Sequence, residues 1–456
     1  MRRTRLRSQR PSLIGLLLCD HEPAVRVWWV KQTSKTVRRT YYVLTAGNAL
    51  AASLIWGINT IFLLDAGLSN FEAFAANACF TAGMVLFEIP TGVVADRWGR
   101  RASFLAGTLT LAVTTALYVL LWQVHSTFIW WAIISALLGL GFTFFSGATE
   151  AWLVDALTAT KFDGQLETVF SRGQVVVGAL TLGGSVAGGY LAQLTNLGVP
   201  YVVRTAILVG MFVIALIMMH DMGFTPDRGD RPLTEMKKIV SSSVEHGLMV
   251  PAVRAIMLAG MFTGGIDIYV YYALQPHLLN LWGDQKAYGI AGLVAALVAG
   301  AQIVGGLFAP GVRRVLKRRT SALLILQGLA VVMLALIGLI SNFWIVIVLI
   351  MLWGLVGFAA VPIRQSYLNG MIPSQQRATI LSFDSLLNSA GGIVAQPVLG
   401  KSADVWGYQF SYLLSAAGSA LALPFIARAR HLNTPADFET TLPPEPKPSS
   451  TKEIDT

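Results

Sequence analysis

Apolar residues run along this chain in long blocks rather than in alternation. "LILQGLAVVMLALIGLI" and "FWIVIVLIMLWGLVGFAAV" are two such blocks, each about as long as a hydrocarbon core is thick. Backbone amides find no water there, so each block must satisfy its own hydrogen bonds as a helix. Strand-like alternation is absent, which excludes a barrel. The pattern predicts helices at about 41–64, 73–95, 103–122, 128–154, 171–193, 200–219, 255–276, 287–309, 320–339, 342–363, 379–400 and 408–428. Most gaps are short, as between antiparallel neighbours. The gap at 220–254 is longer and polar ("DRGDRPLTEMKKIVSSSVEHG"), with a surface helix expected near 233–240.

That gap divides the spans six and six, and the halves resemble each other. "GIN" at Gly57–Asn59 lines up with "GID" at Gly265–Asp267, setting Asn59 against Asp267. "EAWLVDAL" from Glu150 lines up with "RQSYLNGM" from Arg364, and Ser171 with Ser382. The expectation is an all-α membrane protein of two six-helix bundles, residues 41–219 and 255–428, related by a pseudo-two-fold repeat. Transporters of this plan place their site between the repeats.

Composition agrees. The chain is 54% hydrophobic and 13% charged, against about 25% charged in soluble proteins. The formal charge of +10 matters less than its placement. With the N-terminus in the cytoplasm, all basic residues except Arg204, Lys286 and Lys401 fall on the cytoplasmic side, as the positive-inside rule requires. The chain is therefore expected in the plasma (inner) membrane with both termini cytoplasmic. Residues 1–40 form a basic tail without a signal-peptide cleavage site, and its expected partner is an anionic lipid surface rather than nucleic acid. Residues 429–456, rich in Pro, Ser and Glu, read as a disordered tail. Cys19 and Cys79 have no metal-ligand spacing and read as small apolar side chains. "AQPVLGKS" at Ala395–Ser402 approaches a phosphate-binding loop, but Ala395 replaces its first glycine and no strand precedes it. No cofactor, no metal and no enzymatic activity are expected, and the chain reads as a monomer.

"GVVADRWGRR" stands at the cytoplasmic exit of the second span. It resembles the signature loop of the major facilitator superfamily through Gly92, Asp96, Arg97, Gly99, Arg100 and Arg101. The second-half counterpart "GGLFAPGVRRVLKRR" keeps Gly306 and a basic cluster, with Pro310 where the acid would stand. From the residues alone, Gly92 permits close helix approach and Gly99 a tight turn. The resemblance implies a conformational latch, in which Asp96 meets the start of the eleventh span near 378–382 and an arginine of the cluster meets Asp155. "LTLGGSVAGGYLA" in the fifth span partly resembles an exporter motif through Gly184, Gly188 and Gly189, with Ser185 in place of its proline.

A charge at mid-span costs roughly 2.5–3.5 kcal/mol on insertion scales, so each needs a reason. Asp267 is the deepest, with Asn59, Tyr271 and Gln275 as expected cavity companions. It reads as a proton or substrate site, or as a neutral hydrogen-bonded acid. Glu88 stands two residues before Pro90, where a kink and a gating or proton-linked role are expected. Glu150, Arg172, Arg364 and Asp384 read as an inner-gate network, and Arg204 as a snorkelling side chain. Few basic groups and several aromatics on the cavity helices disfavour polyanionic substrates. The leading expectation is alternating-access, proton-coupled efflux of a small apolar or cationic compound. A proton-coupled nutrient importer and a non-transporting receptor or scaffold remain as alternatives.

Overall fold

The computed structural model describes residues 33–145, 147–224, 249–372 and 377–438, without the side chains of 378 and 379. The expected surface helix at 233–240, most of the basic tail and the C-terminal tail beyond 438 lie outside these residues. Among the described residues the regular structure is helical throughout.

Several helices start where the sequence supplies a cap. Thr33 accepts from the Thr36 amide and opens the first span at Ser34, seven residues before the apolar block. Ser69 and Glu72 form a reciprocal capping box at the second span. Asn342 accepts from the amides of Trp344 and Ile345 at the tenth.

The first span is Ser34–Trp56 and Asn59–Asp65, bent by 50° at Gly57–Ile58. Asn70–Trp98, Arg100–Gln123, the pair Phe128–Thr143 and Ala148–Ala159, Leu166–Leu194 and Gly198–Met218 are the second to sixth. Pro251–Trp282, Tyr288–Val315, Arg319–Leu339 and Phe343–Met371 are the seventh to tenth. The last helical stretch, Ile380–His431, has 52 residues. At about 1.5 Å per residue it would be more than twice the thickness of a bilayer core. Gly407 breaks it with φ 80° and ψ 168°, so it holds the eleventh and twelfth spans.

The second span passes through Pro90 as one helix, so the expected kink does not interrupt it. Nearby, the Thr91 hydroxyl donates to the carbonyls of Phe87 and Glu88. The fourth span is interrupted as well, at Gly147 with φ 66°. Residues 429–438, assigned to the disordered tail by composition, are folded. The helix runs to His431, and a 3-10 turn at Pro435–Asp437 follows. Asp437 is buried and accepts from the amide and hydroxyl of Thr320, both at 2.7 Å. Composition missed this because one buried carboxylate anchors an otherwise polar segment.

Each half has its own apolar core. Within each, its first helix packs on its fifth, its second on its fourth and its third on its sixth. Between halves the second span meets the eleventh and the fifth meets the eighth, the same pairing under exchange of halves. Asp221 accepts from the Arg101 amide at 2.9 Å as Asp437 does from Thr320. Both carboxylates follow the last helix of their half and cap its third, which is the repeat expressed in hydrogen bonds.

Candidate functional site

One face of the seventh span organises the space between the bundles. Gly260, Gly264, Asp267, Tyr271 and Gln275 recur at helical spacing, so they share that face. At its upper end, away from the basic loop, Gln275 is 4% exposed. Its Nε2 donates to the Trp56 carbonyl at 2.6 Å, and its Oε1 accepts from the Thr60 amide at 3.0 Å. The break at Gly57–Ile58 interrupts the first span at these groups, and a side chain of the opposite bundle satisfies them.

Three further joints close the same end. Asp404 of the eleventh span accepts from the amides of Asn70 and Phe71 at 2.8 and 2.9 Å. With Ser69 on the Glu72 amide, it completes the cap of the second span from across the interface. Tyr408 donates to Asn70. Gly289 of the eighth span donates to Gln193 of the fifth at 2.9 Å. Close packing accompanies these bonds. A Cβ at Gly57 would stand 2.9 Å from the Gly292 Cα, and one at Gly189 would be as close to that atom.

At the lower end of the face, a Cβ on Gly260 would meet the Arg364 guanidinium at 2.5 Å. Arg364 forms a bidentate pair with Asp384 at 2.6 and 2.7 Å. Asn388 donates to the Asp384 carbonyl at 2.9 Å. The pair lies within one bundle and joins the tenth and eleventh spans. Glu150 and Arg172, the other members of the expected inner network, are exposed. Arg364 is thus committed to Asp384 rather than to Glu150.

Asp267 stands between these ends and is exposed, as Tyr271 above it is in part. Its expected companion is elsewhere. Asn59 donates to Asn77 at 3.0 Å and accepts from Tyr201 at 3.1 Å, inside the first bundle. The bond from Asn59 to the sixth span has its counterpart in Tyr269, which donates to Ser411 of the twelfth at 2.7 Å.

Arg204 does not snorkel. It is 2% exposed, stands over the Phe142 ring at 6.0 Å and has Tyr118, Tyr201 and Tyr272 as electrostatic neighbours. No carboxylate pairs with it among the described residues. Sequence position placed it near a membrane surface, but the helix turns it inward.

The signature loop leaves the second span at the basic end. Asp96 pairs with Arg100 at 2.7 Å and is half exposed. The Arg101 guanidinium donates to the Leu216 carbonyl at 2.8 Å, and Asp155 enters no ion pair among the described residues. Gly99 has φ 100°, and a Cβ there would collide with Asp221. Both facts require glycine. Gly92 is different, since a Cβ there would meet nothing within 4 Å, so the expected close approach is absent. Arg97 is exposed and Glu88 partly buried.

The whole arrangement is that of a known family: the Major Facilitator Superfamily model matches residues 41–395 and again 256–453. The chain belongs to this superfamily. It is similar to the uncharacterized MFS-type transporter YxaM of Bacillus subtilis (strain 168), at 22% identity over 85% of this chain and 94% of that one. It is also similar to the multidrug resistance protein MdtG of Proteus mirabilis (strain HI4320), at 24% identity over 85% and 95% of the two chains. Among solved structures, a point mutant of the nucleoside transporter NupG matches with TM-score 0.73 at 11% identity, covering 86% of this chain and 99% of that one. A bacterial homologue of the human lysosomal transporter Spinster matches with TM-score 0.68 at 14% identity, covering 90% and 100%. At such identities the solved structures speak for the fold. The protein is thus an integral, multi-pass membrane transporter of the superfamily, a carrier rather than an enzyme, and moves a small molecule.

Proposed function

We propose that the protein exports a small apolar or cationic compound in exchange for protons, by alternating access. The observation that carries this reading is Asp267, an exposed carboxylate at mid-span on the seventh-span face that runs from Gly260 to Gln275. Such an acid is expensive in a bilayer unless it serves a charge that comes and goes. A proton neutralises it from one side, and a cationic or hydrogen-bonding substrate competes for it from the other. Tyr271 beside it offers an aromatic surface. The multidrug resistance relative supports export and a broad substrate class.

In this reading the basic end faces the cytoplasm, both termini lie there, and the protein resides in the inner membrane. The bundles are then closed outside and the carrier faces inward. Glu88, Glu150, Arg172, Arg364 and Asp384 line the inner approach as gating groups. Asp96 leaves Arg100 for the eleventh span, and an arginine of the loop reaches Asp155, when the outer end opens. The test is a transport screen of lipophilic cations and neutral aromatics in inverted vesicles under an imposed pH gradient. The expected result is accumulation that collapses when the gradient is discharged. Movement of none of these compounds with or against protons would reject the reading.

A further inference from the structure

A crevice of about 650 Å³ lies between the bundles where the second span meets the eleventh. Phe71, Ala75, Ala78, Cys79 and Ala82 form one wall, a single helical face. The small residues among them make the hollow. Ile393 and Pro397 form the facing wall, and Trp406 lies towards the end where the bundles are joined. From Phe71 to Ala82 the wall is about 16 Å long at the helical rise. That is half of a core about 30 Å thick, or the depth of one leaflet.

The lining is apolar except for Ser402, which is buried, and Lys401. The Ser402 hydroxyl donates to its own helix, to the Leu399 carbonyl at 2.7 Å. Lys401 is exposed at the mouth. Asp404, one turn on, is held by the Asn70 and Phe71 amides, and Lys401 enters no ion pair among the described residues. A lone cation thus stands near the end of the eleventh span, at the mouth of an apolar slot as long as one acyl chain.

We propose that this crevice binds an anionic phospholipid of that leaflet, with an acyl chain along Ala75, Cys79 and Pro397 and the phosphate on Lys401. Length argues for a lipid chain, and charge for an acidic headgroup. The two walls belong to different bundles, so a seated chain touches both and favours the state in which this end is closed.

Photoreactive phosphatidylglycerol and phosphatidylcholine, with identical chains carrying the reactive group, test this in proteoliposomes of the full chain. Crosslinks are mapped by mass spectrometry to peptides covering 71–82 and 393–406, which separates the crevice from the basic end. Phosphatidylglycerol is expected to label these peptides about fivefold more than phosphatidylcholine, the worth of roughly one lysine at a lipid surface. Lys401→Gln should erase that preference without touching the packed interior. Ala75→Phe and Cys79→Phe, which fill the slot from partly exposed positions, should reduce labelling by both lipids. Equal labelling of the wild type, a preference that survives Lys401→Gln, or full labelling of filled variants that keep their wild-type melting temperature would overturn the proposal. Crosslink yield does not depend on transport, so its failure is distinguishable from failure of the export reading.

Discussion

Gln275 shows how much one side chain decides at the closed end. Its amide supplies both a donor and an acceptor, and the break in the first span presents one of each. Gln275→Ala strands the Trp56 carbonyl and the Thr60 amide, which costs about 1–3 kcal/mol when such groups stay buried. Closure of this end should therefore weaken by roughly tenfold or more, and spin-label distances across it should lengthen. Unchanged distances would remove Gln275 from the gate. Asp96→Asn should slow turnover while substrate affinity stays near wild type, because the loop lies at the basic end, outside the cavity face of the seventh span. Unaltered turnover would reduce the loop to a topology signal. Residue roles were readable where residue type and spacing carry the geometry, as at Gly99. Arg204 and Asn59 were not, since their partners come from helices distant in the chain.

Among the elements, glycines and buried caps set the helix spacing. A Cβ at Gly188 would collide with the Leu54 carbonyl, and one at Gly184 with the Ser53 hydroxyl. The fifth span can therefore approach the first only without side chains there. Gly188→Val should lower the melting temperature in detergent by several degrees, whereas Gly92→Ala should leave it unchanged, since nothing faces that position. The reverse order would contradict the packing. Asp437→Ala removes the cap of the ninth span and should cost about 0.5–2 kcal/mol, seen as earlier thermal unfolding. Apolar blocks located every span, because membrane insertion needs them. They were silent on the breaks at Gly57–Ile58 and Gly147, and on the docking of Pro435–Asp437, where local geometry or a single buried contact decides.

The whole molecule is two similar bundles that meet through matched pairs of spans, the second with the eleventh and the fifth with the eighth. Its joined end is held by side-chain contacts to backbone groups: Gln275, Asp404 and Gln193. Such bonds can be exchanged for water without burying a charge, which suits an interface that must open and close. In the proposed reading, alternating access presents Asp267 to whichever side is open. The repeat and the superfamily loop made this architecture readable from the chain. Which end is closed depends on tertiary contacts that no periodicity encodes. Proton coupling through Asp267 is central to the proposed cycle. Substrate flux in proteoliposomes, with and without an imposed pH gradient, compares wild type with Asp267→Asn. The gradient should drive uphill transport by the wild type, while the variant keeps downhill movement and loses the response to the gradient. Uphill, gradient-dependent transport by Asp267→Asn at the wild-type rate would contradict the account.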